Sequence, residues 1–300
     1  LLFTNRNARQ TIAKNVFWLS MSQVGSRIFR AAILIYAARV LGAAEYGIFS
    51  YVLGLAAFFT VFADIGVSSL MTRDIAAHPE KRKEYFSSSF LIKIFLLLFT
   101  ILLVIFIAPY FTNIEKVKLL IPLVAFLVIF DGIRDFSIAY WRGREKMEFE
   151  AITTMIMNIT IMVAGFIILS ASPTSKSLLF SYMASVGLAT FLTIFLLWKR
   201  FSKIFLYFDK KIIREILNNC WPIAFSGMIG TFMLNTDIVM LGWWRTAEEI
   251  GYYSADQRII GVLYTLPAII ASSIFPAVSK LIKQNEKEKL AYLKTLREEL

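Results

Sequence analysis

Residues 86–110 read FSSSFLIKIFLLLFTILLVIFIAPY, an apolar run that is interrupted by a single charged residue, Lys93. A helix needs about 20 apolar residues to cross the roughly 30 Å hydrocarbon core of a bilayer, and this run is long enough. Segments of similar character lie on both sides of it, and the sequence therefore predicts eight membrane-spanning helices. Their approximate bounds are 13–40, 46–71, 86–110, 118–141, 149–171, 176–198, 219–243 and 249–281.

The composition of the whole chain agrees with this pattern. Of the 300 residues, 58% are hydrophobic and 18% are charged, and the mean hydropathy is +0.65. Soluble domains are about 45–50% apolar, and disordered chains contain few apolar residues. The single cysteine, Cys220, and the single histidine, His78, exclude a disulfide scaffold and a multi-histidine metal site. We therefore predict an all-α integral membrane protein.

The positive charges predict the orientation of the chain in the membrane. The net charge is +11, but the basic residues fall between apolar runs rather than along one face, so nucleic-acid binding is not predicted. Cytoplasmic loops carry an excess of Lys and Arg. Most of the 32 basic residues lie on the side of the amino terminus, which predicts that this terminus is cytoplasmic. The other side carries only Lys116, Lys118, Lys176 and Arg245.

Two junctions between spans resemble each other. Residues 41–50 read LGAAEYGIFS, and residues 241–254 read LGWWRTAEEIGYYS. An even number of spans separates them, which indicates a parallel repeat about an axis along the membrane normal, an arrangement found in transporters. We expect residues 1–198 to form a lobe of six spans and 199–216 a cytoplasmic interfacial linker. Residues 217–300 would begin a second lobe with two spans and a tail, in a fragment that lacks about four further helices.

Arg27 and Arg30 are the leading candidates for a binding site. They lie three residues apart, hence on one face of the first span, and no acidic residue of that helix is within reach. Ionisable groups inside a membrane normally face a cavity or a partner. Because guanidinium groups bind phosphate through two parallel hydrogen bonds, this pair predicts an anion site in a hydrated cavity. The alternative is pairing with Asp64 or Asp237 on other helices.

Other buried charges suggest pairing. Asp131 and Arg134 lie three residues apart on the fourth span, where they can neutralise each other. Lys93 could extend to the cytoplasmic interface. Asp64 could cap the cavity or pair with Arg73 or Lys93.

The sequence predicts no catalytic, metal or cofactor site. It contains no G-x-x-x-x-G-K-[ST] phosphate-binding loop, and the loops on the outer side are short. We expect a non-enzymatic carrier. Its substrate-binding candidates are Arg27, Arg30, Lys93, Arg134 and Arg258, and its gating or charge-pairing candidates are Asp64, Asp131, Asp237 and Asp256.

Several motifs resemble the first spans of the Wzx-type polysaccharide-export flippases, within the multidrug/oligosaccharidyl-lipid/polysaccharide exporter superfamily. The most specific is the junction ARVLGAAEYG at residues 38–47. The others are SRIFR at 26–30, DIG at 64–66, TRD at 72–74, DGIR at 131–134 and RG at 142–143.

The resemblance implies two six-helix lobes that give alternating access to a central cavity. It also implies movement of a polyprenyl-pyrophosphate-linked oligosaccharide from the inner to the outer leaflet of a prokaryotic cytoplasmic membrane. The implied partners are this lipid-linked substrate, membrane lipids and other polysaccharide assembly proteins.

Two alternatives stay open. An ion-coupled multidrug extruder would need an acid-lined cavity for organic cations, and the paired arginines count against it. An integral-membrane glycan ligase or polymerase would need a larger external loop than the sequence contains.

Overall fold

The computed structural model describes residues 8–202 and 206–263, and in these ranges the chain is helical with no strand. The all-α prediction is confirmed. The helices are α1 (Ala8–Thr60), α2 (Val67–Ala77), α3 (Arg82–Ile107), α4 (Glu115–Gly143), α5 (Met147–Ala171), α6 (Ser175–Leu196), α7 (Trp198–Phe201), α8 (Lys210–Trp244) and α9 (Ala247–Leu263), with 3₁₀ turns at Pro79–Lys81 and Ala108–Phe111.

Five of the described helical segments are long and apolar enough to cross a membrane. They are Ala13–Thr60, Pro79–Phe111, Met147–Ala171, Ser175–Leu196 and Lys210–Trp244. α4 is also long enough, at about 43 Å for its 29 residues. It differs from the five because it carries Asp131, Arg134 and Asp135 near its middle. The chain is therefore a polytopic membrane protein.

α1 provides two of the predicted spans because it changes direction at Gly42. This residue has φ 71° and ψ 173°, a backbone conformation that strains any residue with a Cβ atom. Residues 8–41 form the first arm and residues 43–60 the second. The Leu41-Gly42 dipeptide of the junction therefore marks the turn between two crossings.

The second predicted span is shorter than expected. It was predicted over 46–71, but the helix ends at Thr60, and α2 begins separately at Val67. The cause is local, because Gly66 adopts φ 83° and the Asp64 carboxylate accepts a hydrogen bond from the Ser68 backbone N–H at the start of α2. α2 is about 16 Å long, too short to cross the bilayer, and it packs on α3 and α4.

The connections between helices lie at two ends of the bundle. At one end, called the opposite side below, Glu45 accepts hydrogen bonds from the backbone N–H and hydroxyl of Ser175 and pairs with Lys116. At the other end, the basic side, a buried ion pair of 2.9 Å joins Lys14 to Glu148. The order of the connections agrees with the predicted alternation of spans, while the orientation in the cell stays a prediction.

The two copies of the junction repeat contact each other at the opposite side. A Cβ atom built on Gly47 would collide with the carbonyl oxygen of Ala247, and one built on Gly251 would collide with that of Ala43. Each glycine is the counterpart of the other in the repeat, and so is each alanine. The reciprocal contact is what a two-fold relation between the copies would produce.

The chain divides into two compact units, residues 1–252 and residues 253–300. The predicted lobes stay a prediction. The predicted linker 199–216 contains the end of α7, the non-helical residues 207–209 and the start of α8. The second half of the predicted span 249–281 lies outside the described residues.

Candidate functional site: a charged cavity between α1, α2, α4 and α5

A polar cavity of about 360 Å³ lies between α1, α2, α4 and α5. It lies toward the basic side, since its lining reaches the ends of α4 and α5 next to their connecting turn. The lining residues are Arg30, Ser68, Ser69, Thr72, Arg134, Asp135, Ile138, Ala139, Arg142, Glu150, Thr154 and Met157.

Arg134 of α4 is held by two carboxylates of its own helix. Its guanidinium lies 2.8 Å from the Asp131 carboxylate and 2.9 Å from that of Asp135, and it also contacts the Met157 sulfur at 2.6 Å. Residues three apart are neighbours on a helix surface. The predicted pairing of Asp131 with Arg134 is confirmed.

A second ion pair closes the cavity near the α4–α5 turn. Arg142 donates two hydrogen bonds to Glu150, at 2.7 and 2.5 Å, in the bidentate geometry typical of strong guanidinium–carboxylate pairs. Neither Arg142 nor Glu150 is among the residues predicted for the site, because charges next to a turn resemble ordinary topology signals. Their opposite charges on the two sides of one tight turn would have predicted the pair.

Arg30 is the guanidinium of the cavity that makes no direct ion pair among the described residues. Among residues 8–202 and 206–263, the ion pairs at the cavity belong to Arg134 and Arg142, and neither Arg27 nor Arg30 forms one. Arg27 is exposed on α1 and does not line the cavity. α1 is positioned by packing on α5, where the Asn158 amide donates a hydrogen bond of 3.1 Å to the Ser26 hydroxyl.

Lys93 and Asp64 form an ion pair beside the cavity. The Lys93 side chain is 1% exposed and lies 3.1 Å from the Asp64 carboxylate, which is 24% exposed. The Ser68 hydroxyl, which lines the cavity, donates a hydrogen bond to the same carboxylate. Of the alternatives for Asp64, the pair with Lys93 is therefore confirmed. Arg73 pairs instead with Asp74 at 2.7 Å.

The remaining predicted residues lie elsewhere. Asp237 is half-buried on α8, and Asp256 and Arg258 are exposed on the part of α9 that belongs to the second unit. None of the three lines the charged cavity. Their assignment to substrate binding or gating stays a prediction.

The charge balance limits what the cavity can bind. Arg142 is balanced by Glu150, and Arg134 lies between the carboxylates of Asp131 and Asp135. Arg30 makes no direct ion pair among the described residues, so its N–H groups are open to an external anion. Ser68, Ser69, Thr72 and Thr154 add hydroxyl groups that can donate to or accept from a polar ligand. Within the described ranges, no cluster of three His, Cys, Asp or Glu residues could hold a metal ion.

A profile of the polysaccharide biosynthesis protein family matches residues 12–282, which is most of the chain. The chain belongs to this family. The match includes the whole charged cavity and both copies of the junction repeat.

Two curated relatives have informative names. This chain is 23% identical over 288 residues to the probable low-salt glycan biosynthesis flippase Agl15 of Haloferax volcanii. The aligned region covers 95% of this chain and 57% of the relative. It is 22% identical over 271 residues to a putative O-antigen transporter of Shigella dysenteriae, with 89% of this chain and 67% of the relative covered. The chain thus spans little more than half of the first relative. No solved structure shows a significant match.

Proposed function

We propose that the full-length protein is a flippase that moves a polyprenyl-pyrophosphate-linked oligosaccharide from the inner to the outer leaflet of a prokaryotic cytoplasmic membrane. The observation that carries the proposal is Arg30, a guanidinium that makes no direct ion pair with the described residues and lines a polar cavity between membrane-spanning helices. Family membership and the names of both relatives support the same function.

Arg30 suits the pyrophosphate group for two reasons. Its planar guanidinium can donate two parallel hydrogen bonds to phosphate oxygens, and it carries no carboxylate that the substrate would have to displace. A single free guanidinium also binds weakly enough to allow release on the far side.

The rest of the cavity suits a sugar. Its hydroxyl groups can donate to or accept from sugar hydroxyls, and the remaining lone pairs of the Asp135 and Glu150 carboxylates can accept hydrogen bonds from them. Its volume of about 360 Å³ corresponds to roughly twelve waters at about 30 Å³ each. This volume suits the pyrophosphate and the first part of the glycan, while the polyprenyl tail would remain in the lipid.

The position of the cavity favours alternating access. The cavity lies toward the basic side, whereas the reciprocal contacts of Gly47 with Ala247 and of Gly251 with Ala43 hold the helices together at the opposite side. We infer that substrate enters from the basic side, which would be cytoplasmic, and leaves when these contacts separate.

The pair of Lys93 and Asp64 would act as a gate. The Ser68 hydroxyl lines the cavity and donates a hydrogen bond to the Asp64 carboxylate. A substrate that accepted this hydrogen bond instead would weaken the contact between α2 and the Asp64–Lys93 pair. α2 and α3 could then shift as the cavity fills.

The alternatives are less well supported. An extruder of organic cations would need an excess of acids, but the three carboxylates at the cavity, of Asp131, Asp135 and Glu150, are matched by three guanidiniums, of Arg30, Arg134 and Arg142. The proposed role is non-enzymatic transport. Other polysaccharide assembly proteins would supply or receive the glycan.

The proposal is tested by binding measurements on the full-length protein in detergent. The probes are a short-chain polyprenyl-pyrophosphate disaccharide and the organic cation ethidium. We expect Arg30→Gln to weaken glycolipid binding at least tenfold, about 1.4 kcal/mol. Arg39→Gln is the matched control because it removes the same charge from an exposed residue of the same helix, outside the cavity. Ethidium binding that exceeds glycolipid binding, or equal effects of the two substitutions, would contradict the proposal.

A further inference from the structure

A larger cavity of about 840 Å³ lies at the basic side, between the ends of α3, α4, α6 and α7. It is separate from the charged cavity and shares no lining residue with it. Four cations and several aromatic rings line it. The cations are Lys83, Arg144, Lys199 and Arg200.

Aromatic rings rather than carboxylates contact three of these cations. The Arg144 guanidinium lies 5.5 Å from the centre of the Trp141 ring, the Arg200 guanidinium 6.0 Å from that of Tyr140, and the Lys83 ammonium 4.9 Å from that of Tyr207. Such contacts orient a cation without cancelling its charge. None of the four cations forms an ion pair with another residue that the structure describes. The cavity therefore presents several uncompensated positive charges.

An exposed apolar stripe leads along α6 into the same cavity. Leu188, Phe191 and Phe195 are exposed and follow one another at intervals of three and four residues, which places them on one face of α6. The exposed Trp198 follows at the start of α7. Phe195 and Trp198 also line the cavity. The stripe would lie in the hydrocarbon and the cavity at the interface, where tryptophan is typically found.

We propose that this cavity binds the phosphate head group of an anionic membrane phospholipid, with an acyl chain along the α6 stripe. The cations account for the anionic head group, and the stripe for the lipid tail. A soluble phosphate would use the cations but gain nothing from the stripe. A bound lipid would hold α6 and α7 against α3 and α4. The inference is independent of the proposed function because it uses none of the residues of the charged cavity.

The test is native mass spectrometry of the full-length protein in detergent, with titrations of phosphatidylglycerol, phosphatidylcholine and glycerol 3-phosphate. We expect the first phosphatidylglycerol to bind at least tenfold more tightly than phosphatidylcholine or glycerol 3-phosphate. Arg144→Gln combined with Arg200→Gln should remove at least tenfold of that affinity. Lys81→Gln combined with Arg214→Gln removes the same charge from exposed residues of the basic side outside the cavity, and should leave the affinity unchanged.

Two further variants separate the head-group and tail contributions. Lys199→Glu reverses one exposed charge and needs no repacking, so it reports on the head group even if the double variant fails to fold. Phe191→Ser combined with Phe195→Ser should weaken phosphatidylglycerol but not glycerol 3-phosphate. Equal binding of the two phosphatidyl lipids would overturn the proposal, and so would equal losses in the two double charge variants. Glycerol 3-phosphate binding as tight as phosphatidylglycerol would replace the lipid with a soluble phosphate ligand.

Discussion

Removing one partner of the Asp64–Lys93 pair should have very different consequences depending on which partner is removed. In Asp64→Asn, the Lys93 ammonium stays almost fully buried with no carboxylate to balance it. Leaving one charge of a buried pair uncompensated costs roughly 3–5 kcal/mol. In Lys93→Met, the Asp64 carboxylate keeps the hydrogen bonds from the Ser68 backbone N–H and hydroxyl and remains partly exposed. We expect that loss to be about 1–2 kcal/mol.

The assay is thermal unfolding in detergent, followed by circular dichroism. At about 2.1 cal/mol/K of unfolding entropy per residue, each kcal/mol shifts the midpoint of a 300-residue chain by about 1.6 °C. Asp64→Asn should therefore lower the midpoint by roughly 5–8 °C, and Lys93→Met by roughly 2–3 °C. The double variant, which removes both charges, should recover most of the loss seen in Asp64→Asn.

Two outcomes would contradict the expected difference between the variants. If Lys93→Met destabilises the protein as much as Asp64→Asn does, the loss in Asp64→Asn does not come from leaving the buried Lys93 ammonium without a carboxylate. If the double variant is no more stable than Asp64→Asn, the two residues do not form a mutually compensating pair.

Two further predictions concern the opposite side. Gly47→Leu should prevent the junctions from closing and raise the rate at which a water-soluble thiol reagent labels a cysteine placed there, whereas Gly227→Leu should not, since a Cβ atom at Gly227 meets nothing within 4 Å among the described residues. Equal labelling of the two variants would contradict the closed contact. Glu45→Ala should lower the unfolding midpoint by the equivalent of about 1–3 kcal/mol, because it removes the oxygen that accepts two hydrogen bonds from Ser175. Glu115→Ala removes a surface pair worth about 0–1 kcal/mol, and an equal effect of the two glutamate variants would count against this reasoning.

Local features of the sequence predicted most of the fold. Apolar runs of sufficient length identified the membrane helices because a bilayer imposes that length. The spacing of Asp131 and Arg134 predicted their pairing because helical geometry brings such residues together. The junction repeat rests on a few matching residues, and its two copies, 41–50 and 241–254, contact each other in the structure.

Features that depend on tertiary contacts could not be predicted in the same way. The second span ends at Thr60 because Gly66 and the Asp64–Ser68 hydrogen bond start a new helix, although the residues beyond the break are still apolar. The pairing of Arg142 with Glu150 depends on how the α4–α5 turn is folded. Arg27 and Arg30 share a helical face, yet only Arg30 lines the cavity, since packing on α5 sets the rotation of α1.

In the proposed function, Arg30 contributes to moving a pyrophosphate-linked glycan across the membrane. The most direct measurement uses the full-length protein in liposomes and a fluorescent polyprenyl-pyrophosphate disaccharide, whose appearance in the second leaflet is followed by chemical quenching. We expect Arg30→Gln to slow translocation at least tenfold, whereas Arg39→Gln and the wild type should move the lipid at the same rate. Translocation that is unaffected by Arg30→Gln, in a variant with unchanged unfolding midpoint, would contradict this role of Arg30.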